Sequence, residues 1–74
     1  MHYGDVYVRV VLALTGWDNQ IVFYVEAKSI KAAEEIAWET FKEQRLNGIT
    51  PVENWYLKEA KIKPFEGITI FIKD

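Results

Sequence analysis

With 74 residues, the chain has room for one folding unit and none for a separate catalytic domain, so the whole of 1–74 is read as a single small domain. It has no cysteine and one histidine, His2, which excludes disulfides and the usual zinc sets and leaves packing or association to supply stability. A net charge of −2 gives no general attraction to nucleic acid or anionic membranes, while a composition that is half hydrophobic and 15% aromatic belongs to a chain that folds.

From Asp5 to Leu14 the residues alternate as in a strand, with Val6, Val8, Val10, Leu12 and Leu14 on one face and Asp5, Tyr7, Arg9, Val11 and Ala13 on the other. The half from Val10 onward is apolar on both faces, which suits a central strand. Thr15 to Asn19 gathers turn formers, and Ile21 to Glu26 returns as a second strand that also carries apolar residues on both faces. Ser29 can cap a helix through its hydroxyl, and Asn47-Gly48 supplies a left-handed terminator, which predicts a helix of about 17 residues between them. Its apolar stripe is Ile30, Ala33, Ile36, Ala37, Thr40, Phe41 and Gln44, with Lys31, Glu35, Glu39 and Lys42 opposite.

The stretch from Val52 to Lys63 is strand-like but changes parity: Trp55 and Leu57 share one face, Ala60 and Ile62 the other. A bulge near Lys58 and Glu59 would reconcile them. Lys63 to Gly67 reads as a turn and Ile68 to Ile72 as a last strand. The expected fold is α+β with the plan ββαββ: one helix on a four-stranded, mostly antiparallel sheet in order 2-1-3-4.

Chemistry-bearing patterns are sparse. Ser29 and His2 form no nucleophile–base pair, the glutamates sit mostly on solvent-facing positions, and Gly4, Gly16, Gly48 and Gly67 are too scattered for a phosphate loop. The expectation is a protein that is not an enzyme and that takes no cofactor or metal. No apolar run is long enough to cross a membrane, and Met1 to Asp5 lacks a basic signal-peptide start, so a cytoplasmic setting without membrane contact is expected.

The large apolar residues are more informative. One helix covers one sheet face, which would leave Tyr7, Val11, Val22, Tyr24, Phe71 and Tyr56 on the other, with Arg9 among them. Trp17 stands in a hairpin turn where strand packing does not require an indole, and Trp38 borders the helix stripe beside Phe41. These nine residues are the candidate interaction set. They favour a non-catalytic protein-interaction module that binds a protein partner or a second copy of itself, a homodimer being expected. The alternative is a single-strand nucleic-acid binder stacking bases on Tyr7, Tyr24 and Tyr56, with Arg9, Lys58, Lys61 and Lys63 nearby.

The hairpin followed by a helix opening Ala27-Lys28-Ser29-Ile30-Lys31-Ala32-Ala33 resembles many short proteins of phages and mobile elements. The likeness covers this local pattern only. What it implies is an adaptor or inhibitor that acts by binding a host protein, and it assigns no functional residue.

Overall fold

The computed structural model describes residues 6–63 and 70–73. The expected strand start at Asp5, the turn through Pro64 to Gly67, and Ile68 and Thr69 lie outside them. The elements run β1 (Val6–Leu14), β2 (Gln20–Ala27), α1 (Ile30–Glu43), a 3-10 turn (Val52–Asn54), β3 (Trp55–Ile62) and β4 (Ile70–Lys73).

β1 and β2 form the expected antiparallel hairpin, Val10 opposite Phe23 and Leu12 opposite Ile21. The connection closes with Trp17 N–H donating to the Leu14 carbonyl, and Gly16 takes φ = +83°, which a side chain would strain. β3 lies antiparallel on the other side of β1, giving an α+β unit of one helix and a three-stranded antiparallel sheet in order 2-1-3.

The register between β1 and β3 shifts between Val11, opposite Glu59, and Leu12, opposite Leu57. Lys58 is therefore the extra residue, at the expected bulge. It turns the parity break into continuity: Trp55, Leu57, Ala60 and Ile62 oppose Leu14, Leu12, Val10 and Val8, all on the helix side of the sheet.

The order 2-1-3-4 is not formed. No fourth strand pairs with β3 among the described residues; Ile70–Lys73 instead runs parallel to β2, with Phe71 opposite Tyr24, so the order is 3-1-2-4. The physical reason is visible on β2. Phe23, Tyr24 and Val25 are 0%, 2% and 0% exposed, an interior strand buried on both faces, whereas β3 exposes Tyr56, Leu57, Lys58, Lys61 and Ile62 as an edge does. Short sequence separation favoured a second hairpin; the two-faced apolar content of β2 outweighs it.

The helix begins as expected, with the Ser29 hydroxyl accepting from Ala32 N–H at 3.1 Å. It ends sooner than Asn47-Gly48. Gln44 is the C-cap, Arg45 takes the left-handed conformation at φ = 52°, and Leu46 N–H reaches back to the Phe41 carbonyl while Arg45 N–H reaches that of Lys42. This is the 6→1 and 5→2 pairing of a Schellman ending, made with arginine where glycine is usual. Gly48, also at positive φ, serves the following turn.

Ala33, Ala37 and Phe41 are fully buried against Val8, Val10, Leu12, Phe23 and Val25. The two alanines bring the helix backbone close to the sheet. Phe41 fills the space beyond them, its ring 5.0 Å from that of Trp55 and 5.7 Å from that of Trp38. Each fully buried large side chain contributes about 1.5–3 kcal/mol, so this layer carries most of the stability.

Candidate interaction surface

The sheet face turned away from α1 is less open than its composition implies. Val11 and Tyr24 are each 2% exposed and Ala13 is 4%, so the centre of this face is closed. Val22 is half-buried, and among the residues whose side chains are described only Tyr7, 39% exposed, and Tyr56, 47%, present sizeable apolar area there. Phe71 is placed in register with Tyr24 on β4. The face thus brings Tyr7, Arg9, Val11, Val22, Tyr24 and Tyr56 together as expected but withholds Val11 and Tyr24 from contact with another molecule.

Arg9 acts within the fold. Its guanidinium donates to the Glu59 carboxylate at 2.7 Å, tying β1 to β3 beside the bulge, and Lys61 stands 3.8 Å from the other carboxylate oxygen. Partial burial alone would push the Glu59 carboxyl up; the Arg9 hydrogen bond and the charges of Lys61, Arg9 and Lys63 outweigh it, so the group lies below its ordinary range.

The other two candidates, Trp17 and Trp38, belong to one pole of the molecule. The helix runs back toward the end where β1 finishes and β3 starts, and Thr15 N–H donates to the Asn54 carbonyl at 2.9 Å, fastening the hairpin tip to the 3-10 turn. The loop from α1 to β3 is pinned there too. Trp55 Nε1–H donates to the Thr50 hydroxyl at 2.8 Å, that hydroxyl donates to the Asn47 carbonyl, and the Asn47 amide donates to the Thr50 carbonyl. On this braced end Trp17 is 72% exposed and Ile49 fully exposed.

Beside them runs a solvent-open groove of about 610 Å³ between α1 and the 3-10 turn. Trp38, Val52 and Trp55 supply its apolar floor. Glu35, Glu39 and Glu43, successive turns of the helix, and Glu53 opposite make its rim, with Lys42 the one cation of the lining. The volume falls within the range of about 300–1,000 Å³ usual for ligand clefts, while the openness suits a segment laid in from outside. Among the described residues, none of the four rim carboxylates is in an ion pair.

Sequence reasoning reached Trp38 but passed over its neighbours. The glutamates read as an ordinary solvated helix face, and the Glu53 and Val52 wall comes from a segment read as strand. The available signal was the i, i+4, i+8 repeat of glutamate flanking a tryptophan, since like charges at that spacing cost about 0.2–0.5 kcal/mol per pair and ask for a reason. No cluster able to hold a metal ion is present among the described residues, and none of their helices is long and apolar enough to cross a membrane. The chain matches no protein-family model, no curated protein and no solved structure.

Proposed function

We propose that the chain is a non-catalytic protein-interaction module, acting in the cytoplasm, that grips a protein partner or a second copy of itself at the pole formed by the hairpin tip, the α1–β3 loop and the groove. The observation that carries this reading is Trp17: an indole 72% exposed on a loop held in place by backbone hydrogen bonds. Exposing so large an apolar surface forgoes burial energy, and tryptophan on a rigid support is the residue type most enriched at binding hot spots. Ile49 and the groove floor extend the same end into one contact area.

Placing the contact at the pole, instead of on the sheet face, follows from the burial of Val11 and Tyr24. The same burial weighs against base stacking, because Tyr24 offers no ring face to a nucleotide. The test compares the wild type with Trp17→Ser and Ile49→Ser, both surface changes expected to leave the circular dichroism unaltered. Light scattering reports self-association and affinity capture reports a partner. A dimer or a captured protein lost in both variants supports the reading. Association retained undiminished by both, or no association in either assay, overturns it.

A further inference from the structure

We infer that the groove between α1 and the 3-10 turn takes an arginine- or lysine-bearing segment of a protein partner, an inference that rests on the interaction reading above and specifies its ligand chemistry. Three features converge. Four carboxylates, from Glu35, Glu39, Glu43 and Glu53, line the groove against the single ammonium of Lys42, so its own charge is strongly one-sided. Those carboxylates have no ion-pair partner among the described residues, although Arg9 and Lys61 both find one at Glu59. The floor between them is indole, from Trp38 and Trp55, and Trp38 is held edge-on by Phe41 at 5.7 Å.

An indole face attracts a cation through its quadrupole, and a guanidinium or ammonium on an aliphatic stem covers apolar floor with the stem while presenting its head to a carboxylate rim. A neutral apolar segment would use the floor and leave the rim repulsive; an acidic one would add to the repulsion. A bare divalent ion has the charge but no stem for the floor, and the carboxylates do not converge to hold it. Charge complementarity therefore selects a basic segment.

The test titrates a fluorescein-labelled peptide of alternating leucine and arginine against its citrulline counterpart, which keeps the shape and removes the charge, by fluorescence anisotropy. The arginine peptide is expected to bind at least about threefold to tenfold more tightly, and the preference should shrink with added salt. Glu39→Gln with Glu43→Gln should erase it. Glu26→Gln with Glu34→Gln, an equal change in net charge outside the groove lining, should not. Equal binding of the two peptides, equal loss in both double variants, or no binding of either overturns the inference. Equal binding that is lost in Trp38→Leu overturns the charge requirement alone and leaves the interaction module standing.

Discussion

β1 and β3 lie side by side, nine and eight residues long, yet only one is an interior strand. From Val10 to Leu14 every residue of β1 is buried, whereas β3 buries Trp55 alone. Their facing positions carry similar side chains, Leu12 against Leu57 and Val8 against Ile62, but the β1 member is 0% exposed in each pair and the β3 member 36% and 58%. Place in the sheet, more than residue type, decides what a side chain is worth.

The most direct way to break that comparison is to truncate both members of one pair. Leu12→Ala should cost about 3 kcal/mol and Leu57→Ala about 1 kcal/mol or less in urea denaturation; comparable losses would mean that β3 is not the edge it looks to be. The same contrast is expected on the opposite face. Tyr24→Ser should cost about 3 kcal/mol because the ring is enclosed, and Tyr56→Ser no more than about 0.5 kcal/mol. A Tyr24 variant that kept full stability would restore that face as a candidate contact surface.

The smallest effect sharpens how the two strands are joined. The Glu59 carboxyl is held below its ordinary value of 4.5, so its ionised form is favoured by the folded state. Its contribution is present above that ordinary pKa and is lost as pH falls through the lowered folded value. The melting temperature of the wild type should therefore exceed that of Glu59→Gln at neutral pH and converge on it in acid. A gap unchanged down to the lowest pH would separate the Arg9 contact from carboxylate charge.

Local features of the fold were legible where one residue dominates its surroundings. Ser29 names the helix start, the turn formers from Thr15 to Asn19 name the hairpin, and the parity switch in β3 asks for a bulge near Lys58 and Glu59, which the pairing with β1 narrows to Lys58. The helix end was not legible. Arg45 takes a conformation that its side chain disfavours, held by the two capping hydrogen bonds, and intrinsic preference pointed past it to Gly48. The position of β4 was equally hidden, since pairing with β2 depends on contacts distant in sequence. Of the candidate site, Trp17 and Trp38 stood out as indoles without a strand role. The acidic rim did not, because Glu53 meets the helix glutamates only after the α1–β3 loop folds back.

The extra residue at Lys58 also bears on solubility. An edge strand offers a row of free backbone donors and acceptors on which another chain can template itself, and a regular, apolar edge invites fibrous assembly. β3 carries exposed Leu57 and Ile62, the ingredients of such an edge, but the bulge interrupts its spacing between them and lysines stand at 58 and 61. An incoming strand could match the part before the bulge or the part after it, never both in one register. The residue that lets β3 keep its apolar side toward the helix thus also spoils it as a template, so one insertion serves folding and guards against aggregation.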